Sequence, residues 1–228
     1  MILKKGMNNI SNFNSFSTFI TNNYETFCLF FHLSLLLFSY ICSPSIKLFD
    51  VVITKVFGKL IYLTYQGNYL TLIYFFLAFY NSLYKNNFYT YLISYLYPLI
   101  FSISFFITIG FYLLDYSNPV QILKRKALSN TFPYLYITTH TDHFFIFPLV
   151  VFFGYNYPLQ YIKNNYLVII YTVSYILLMF FNRYLTTAWP YPIINDIEIK
   201  FGIFARNMFF ISLIFLMNIL SKSYKLLV

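Results

Sequence analysis

Two histidines and an aspartate stand close together in the segment His140-Thr141-Asp142-His143, directly before a strongly apolar run. An ionisable side chain in such a run costs free energy unless it has a partner or a function. On a helix, His140 and His143 share a face because they are three residues apart, whereas Asp142 points elsewhere. A neutral imidazole can take a proton from a hydroxyl group and return it to a leaving group. The segment therefore suggests a general base, with a simple polar contact between helices as the alternative.

A general base needs a nucleophile, and the chain has no Gly-x-Ser-x-Gly motif that would supply a serine. Thr71, in Asn68-Tyr69-Leu70-Thr71-Leu72-Ile73-Tyr74, is the candidate hydroxyl at the start of an apolar run. The alternative is that Thr71 only packs between helices. The histidine pair is also an incomplete metal site, because zinc needs at least three protein ligands and no HExxH, CxxC or carboxylate cluster supplies the rest. We expect no metal and no cofactor.

The elements that must position these residues are membrane-spanning helices. The chain has 228 residues, of which 60% are hydrophobic and only 9% charged, and this excludes a small soluble domain. The apolar runs are apolar on every face, unlike the alternating strands of a membrane β-barrel. A bilayer core of about 30 Å requires about 20 helical residues. The sequence predicts an all-α, polytopic transmembrane bundle of about six spans, near residues 26–43, 68–84, 90–114, 133–154, 166–184 and 204–220.

We expect residues 1–228 to form a single integral membrane domain, because no linker, repeat or second composition regime interrupts them. Residues 1–25 are polar, and residues 44–67 have the pattern of an interfacial amphipathic helix, or alternatively of an ordinary loop. Trp189-Pro190-Tyr191-Pro192 predicts a rigid turn at headgroup level. The net charge of +9 is spread thinly, which suits interfacial anchoring rather than nucleic-acid binding.

Four short motifs occur in the order and approximate spacing of a known family. They are Asn68-Tyr69-Leu70-Thr71-Leu72-Ile73, the His140-x-x-His143 pair with Pro148 five residues beyond, Trp189 with Tyr191-Pro192, and Phe204-Ala205-Arg206 followed by Leu216-Met217-Asn218. On these motifs the chain resembles the androgen-induced protein family, which includes the androgen-dependent TFPI-regulating protein. The resemblance runs from about residue 65 to the C-terminus.

This resemblance implies an intramembrane threonine hydrolase that cleaves fatty acid esters of hydroxy fatty acids. It implies that Thr71 is the nucleophile and His143 the catalytic histidine. His140 is our candidate to orient the ring of His143, and Asn68 or backbone amides at a helix end are candidates to stabilise the oxyanion. The implied partners are membrane lipids and a lipid ester substrate, in the endoplasmic reticulum or the plasma membrane.

The chain also departs from the family pattern. Arg183-Tyr184 stands where family members commonly have two histidines, and the stretch from Pro133 to His140 is longer than in relatives. These differences bear on substrate choice and on activity. A non-catalytic membrane protein, either a lipid-binding scaffold or a subunit of a complex, is therefore the alternative. A transporter or proton relay built on His32, His140 and His143 is the weakest reading, because the hydropathy shows no inverted repeat.

Overall fold

The computed structural model describes residues 23–42, 53, 55–130, 133–160, 162 and 166–226, and all regular structure within them is helical. The helices are α1 (Tyr24–Cys42), α2 (Leu63–Tyr84), α3 (Asn87–Gly110), α4 (Pro119–Ser129), α5 (Leu135–His143), α6 (Ile146–Asn156), α7 (Leu167–Thr186) and α8 (Pro192–Ser223). A π-helical turn, Phe111–Tyr116, continues α3, and short 3-10 turns, Gly58–Ile61 and Tyr224–Leu226, precede α2 and follow α8.

Within the described residues, four helical segments are long and apolar enough to cross a membrane: Tyr24–Cys42, Asn87–Tyr116, Leu167–Thr186 and Pro192–Leu226. The protein is therefore an integral membrane protein, and the predicted helical membrane bundle is confirmed. Helix α2 has 22 residues but is less apolar, because it carries Gln66, Asn68, Thr71 and Asn81. These polar residues lie on the one helix that was predicted to supply the nucleophile.

The span predicted at 133–154 is two short helices instead of one. Helix α5 ends at His143 and α6 begins at Ile146. Pro148 lies in the first turn of α6, where a missing N–H is tolerated, whereas a continuous helix would place its ring against the carbonyl of Phe144. His143 consequently lies at the end of a nine-residue helix rather than inside a long span.

The segment 44–67 lies partly outside the described residues, so the predicted interfacial helix stays a prediction there. Its described part holds the 3-10 turn Gly58–Ile61 and the start of α2. The polar segment 1–22 also lies outside the described residues.

Helix α3 is the central element, and it packs against α2, α6, α7 and α8. One buried cluster on it contains Tyr97, Tyr74, Phe75 and Phe153, and a second contains Ile103, Ile107, Met179, Trp189 and Phe210. Helix α1 covers the other side of α2 and also touches α5 and α6. The candidate residues of α2 and α5 therefore lie between α1 on one side and α3 on the other.

Candidate active site

The imidazole of His143 is held through both of its nitrogens. Nδ1 lies 2.7 Å from the carbonyl oxygen of Thr139, one helical turn earlier. Because a carbonyl oxygen only accepts, Nδ1 carries a proton, and in the neutral imidazole Nε2 therefore carries the lone pair. The Thr64 hydroxyl, 3.2 Å away, donates to Nε2. The ring also stacks on Phe111, with centroids 3.8 Å apart. This is the tautomer that a general base toward a hydroxyl group requires.

Thr64 is a functional candidate that the sequence motifs did not indicate. It lies in the first turn of α2, where the helix dipole favours a developing negative charge. A signal for it does exist in the sequence, because Thr64 precedes Thr71 by seven residues and therefore lies on the same helix face, about 10 Å away along the axis. The position of α5 along the axis of α2 determines which of the two hydroxyls reaches His143. Residue spacing within one helix does not give this relative position.

The start of α2, and with it Thr64, is fixed by two tyrosines. The backbone N–H of Leu63 donates to the Tyr191 hydroxyl at 2.8 Å. The Tyr175 hydroxyl donates to the Ile61 carbonyl at 2.9 Å and accepts from Tyr191 at 2.9 Å. The Tyr191-Pro192 motif thus caps the N-terminus of α2. Its neighbour Trp189, expected at headgroup level, is only 4% exposed and donates to Glu198.

Thr71, the predicted nucleophile, lies two turns further along α2 and is fully buried. Five threonines are buried in the described part of the chain, and Thr71 is the one whose hydroxyl has no hydrogen-bond partner there. The other four, Thr108, Thr138, Thr172 and Thr186, each donate to a carbonyl. An unpaired buried hydroxyl costs free energy and so calls for an explanation, although four other buried polar atoms share this condition. Thr71 and His143 are not hydrogen-bonded to each other.

A second histidine lies along the Thr71 face of α2. The Nε2 of His32 donates to the Asn68 carbonyl at 3.0 Å, and its ring meets Phe75 edge-on. Positions 68, 71 and 75 share a helix face, so the ring of His32 lies against the face of α2 that carries Thr71. His32 is also buried, and its Nδ1 has no partner among the described residues.

Asn68 links α2 to α5 through hydrogen bonds. Its side-chain amide donates to the carbonyl of Thr64 at 2.9 Å and to the carbonyl of Asp142 at 3.0 Å. The second bond fixes the peptide next to His143. Asn68 does not line the cavity described below, so the structure gives it a positioning contact.

His140 makes no hydrogen bond and no ring contact with His143. Its Nδ1 lies 2.7 Å from the Tyr112 hydroxyl, and the two rings are stacked. The orienting contact expected from His140 comes from the backbone carbonyl of Thr139 instead. The spacing of residue types could not predict this contact. The partner of His143 is a backbone carbonyl, which every residue has, and no particular side chain marks it. Among the described residues, no three of His, Cys, Asp and Glu come together as a metal site.

A cavity of about 400 Å³ opens beside His143 and Thr64, and both residues line it. This volume lies within the range of small-molecule sites. Most of the wall is apolar, and α3, α7 and α8 contribute Phe106, Ile107, Met179, Phe209 and Leu213 to it. Thr71, Asn68 and His140 are not part of the wall. An apolar chain bound there would meet the imidazole and Thr64 first.

The comparisons with known proteins agree with the sequence motifs. The family model for FAR-17a/AIG1-like protein matches residues 26–227, which is most of the chain. The chain belongs to the FAR-17a/AIG1-like family. This is the androgen-induced family that the motifs predicted. No curated protein and no solved structure gave a match.

Proposed function

We propose that this FAR-17a/AIG1-like protein is an intramembrane hydrolase of lipid esters, with His143 as the general base and a threonine of α2 as the nucleophile. The observation that carries the proposal is the neutral His143 ring, whose Nε2 lone pair meets a threonine hydroxyl at the wall of an apolar cavity. The substrate class, fatty acid esters of hydroxy fatty acids, follows from the family resemblance, as does a site of action in the endoplasmic reticulum or the plasma membrane.

In the proposed reaction, Nε2 of His143 takes the proton of the threonine as Oγ attacks the ester carbonyl carbon. The tetrahedral intermediate collapses to an acyl-threonine, and the departing alkoxide receives the proton from Nε2 as the free hydroxy fatty acid. Water then gives a proton to Nε2 as it attacks the acyl-threonine. The second tetrahedral intermediate releases the other fatty acid, and the threonine Oγ leaves with the proton from Nε2, which restores the hydroxyl and the neutral ring. Nδ1 keeps its proton throughout, and the Thr139 carbonyl stabilises the imidazolium that forms in each step.

Two threonines compete for the role of nucleophile. Thr71 occupies the family motif, and family membership and its unpaired hydroxyl support it. Thr64 is supported by its hydrogen bond to His143 and by its place at the cavity wall. We propose Thr71, with Thr64 holding the imidazole before the substrate binds, since catalytic contacts often tighten only in the complex. This assignment requires His143 and Thr71 to approach each other when the site is occupied.

Replacing His143 tests the function itself. We expect His143→Ala to lower ester hydrolysis at least about 100-fold, because the loss of a general base typically has an effect of this size. The matched control is His140→Ala, which removes an imidazole that is hydrogen-bonded to Tyr112 instead of His143 and does not line the cavity. Hydrolysis is measured on fatty acid esters of hydroxy fatty acids with protein in native membranes. Equal hydrolysis by wild type and His143→Ala would contradict the proposal.

The alternative is a non-catalytic protein that holds lipid in this cavity. The absence of a hydrogen bond between Thr71 and His143 favours it, because the two predicted catalytic groups are then not assembled. One measurement distinguishes the hydrolase from the lipid-binding protein. A scaffold binds the lipid ester but yields no free hydroxy fatty acid in any variant.

A further inference from the structure

The cavity beside His143 is too small for a whole lipid ester with two long chains. Its volume is about 400 Å³. A cavity of about 150 Å³ can enclose benzene, so about 25 Å³ per carbon atom is sufficient in an apolar site. At this density the cavity encloses about 16 carbon atoms, which is one long acyl chain. An ester of two such chains has twice as many carbon atoms, so one chain must extend beyond the cavity.

Gly110 differs from the other glycines in the described part of the chain, because nothing in its surroundings requires glycine. Gly58 and Gly202 have φ angles of +57° and +81°, which favour glycine. At Gly67 and Gly154 an added Cβ would overlap a neighbouring side chain. Gly110 has helical angles, φ −60° and ψ −41°, and a Cβ built on it would have its nearest neighbour at 3.6 Å, an ordinary contact distance. Backbone and packing therefore both admit a side chain here, and glycine is unfavourable within a helix.

A side chain at position 110 would extend into the cavity. Gly110 lines the cavity, and so do Phe106, Ile107 and Phe111, which lie within one helical turn of it on α3. Gly110 thus belongs to a continuous part of the wall, and its lack of a side chain widens the space there. Phe111, the next residue, stacks on His143 with centroids 3.8 Å apart. The widened part of the cavity consequently lies beside the proposed general base.

From the volume and this wall we infer that the cavity encloses one chain of the lipid ester, and that this chain passes over Gly110. Gly110 is then a specificity-determining residue, because the space left by its missing side chain admits an enclosed chain of up to about 16 carbon atoms. The inference rests on the proposed hydrolase and adds a length limit for one of the two chains of its substrate. The other chain lies outside this wall, which does not limit its length.

Gly110→Leu tests the limit, because it places four carbon atoms in the cavity. Two series of esters are compared. In the first series the acyl chain has eight or sixteen carbon atoms and the hydroxy fatty acid is constant. In the second series the hydroxy fatty acid varies in the same way, with its hydroxyl group at a constant position and the acyl chain constant.

The measured quantity is the ratio of kcat/KM for the long chain to kcat/KM for the short chain, with full-length protein in nanodiscs. We expect this ratio to fall at least about fivefold in Gly110→Leu, and in one series only, because overfilling a packed apolar space has at least this effect. The ratio compares two substrates of the same variant, so a general loss of folded protein does not change it. Gly110→Ala adds one carbon atom and should lower the ratio less.

A second substitution distinguishes lost space from local damage. Leu114 lines the same cavity four residues after Gly110, and Leu114→Ala removes three carbon atoms from it. In the double variant, Gly110→Leu with Leu114→Ala, the ratio should return toward that of wild type. A double variant with the same low ratio as Gly110→Leu contradicts the inference, because damage to α3 would not be reversed by added space.

The two series also identify the enclosed chain, since it is the chain whose length ratio falls. Unchanged ratios in both series overturn the inference, and so does an equal fall in both, because the cavity would then not select one chain. Binding of non-hydrolysable ethers with the same chain lengths is measured in parallel. If no ester is cleaved but the ether preference changes in one series, the proposed hydrolase fails and the chain site remains. If esters are cleaved and neither ratio changes, the hydrolase remains and the chain site fails.

Discussion

At the scale of single residues, His143 is defined by what its two nitrogens contact. The Thr139 carbonyl accepts a hydrogen bond from Nδ1–H, and the Thr64 hydroxyl donates one to Nε2. In its neutral form the ring is therefore an acceptor at Nε2, and its plane is held by stacking on Phe111. Catalysis by Thr71 requires that the contact with Thr64 be exchanged for one with Thr71. The two threonines consequently have different roles, which isosteric variants can separate.

Thr71→Val and Thr64→Val each remove one hydroxyl at nearly constant volume. If Thr71 is the nucleophile, Thr71→Val loses both ester hydrolysis and labelling by a fluorophosphonate probe. Thr64→Val keeps the labelling and hydrolyses at least as fast as wild type, because the hydrogen bond that it removes is the one that Thr71 must replace. Thr64→Ser, which keeps the hydroxyl, should match wild type. Labelling and hydrolysis are measured on the same membranes, with each expression level matched to wild type.

The reverse pattern assigns the nucleophile differently. Loss of labelling in Thr64→Val together with normal labelling of Thr71→Val would make Thr64 the nucleophile and leave His143 as the base. Normal labelling in both single variants would contradict a nucleophilic threonine on α2.

How much of the site could be predicted from the sequence depends on the kind of contact. His143 was recognisable because an ionisable residue beside an apolar run is unusual, and the family motif selected Thr71. Their roles stay predictions. The contact with Thr64 was not predictable, because it depends on the axial offset between α2 and α5. The Thr139 carbonyl was missed because every residue has one, so residue types do not mark it.

At the scale of the elements, the site depends on how closely α2 approaches α3. Gly67 lies between Thr64 and Thr71, and a Cβ at this position would overlap Ile107 and would come 2.6 Å from Cγ2 of Ile103. β-Branched side chains such as Ile103 are stiff within a helix, so this neighbour cannot rotate away without strain. A small residue at such a contact allows two membrane helices to pack closely.

Gly67→Ala should therefore destabilise the protein and weaken catalysis together. Overpacking of this kind costs about 1–3 kcal/mol, and the better helix propensity of alanine returns only about 1 kcal/mol. Gly110→Ala is the matched control for stability, because its added Cβ would only meet Phe106 at ordinary contact distances of at least 3.6 Å. Thermal unfolding in detergent is compared for both variants, and ester hydrolysis for Gly67→Ala and wild type, because Gly110 itself lines the cavity. An unchanged melting temperature in Gly67→Ala would show that α2 and α3 are not tightly packed here.

The elements themselves were partly predictable. Long apolar runs predicted α1, α3, α7 and the second half of α8, because length and hydropathy determine which segments can span a bilayer. The break between α5 and α6 was missed because both flanks are apolar and Pro148 is compatible with a first helical turn. The start of α8 at Pro192 was also missed, since residues before its kink at Gly202 include Asp196, Glu198 and Lys200.

At the scale of the whole molecule, C-terminal residues that are far from α2 in the sequence position the start of α2. The Trp189 indole donates to Glu198 at 2.6 Å, and Glu198 pairs with Arg206 across the kink of α8 at 3.3 Å. These contacts hold the turn that carries Tyr191, and Tyr191 caps α2 one residue before Thr64. The family motifs around Trp189, Tyr191 and Arg206 thus act through the position of α2.

Tyr191→Phe should show this coupling. The variant retains the ring but leaves the buried N–H of Leu63 without an acceptor, which costs about 1–3 kcal/mol. The first turn of α2 then loosens, and the threonines of α2 lose their fixed position relative to His143, so we expect a lower melting temperature together with a lower kcat. Tyr184→Phe is the control, because Tyr184 is 81% exposed on the neighbouring helix and removing its hydroxyl should change neither quantity. Thermal unfolding and full kinetics are measured on both variants. If Tyr191→Phe has the melting temperature and the kinetics of wild type, the hydrogen bond from Leu63 to Tyr191 does not position α2. The C-terminal helices would then have no effect on the site through this contact.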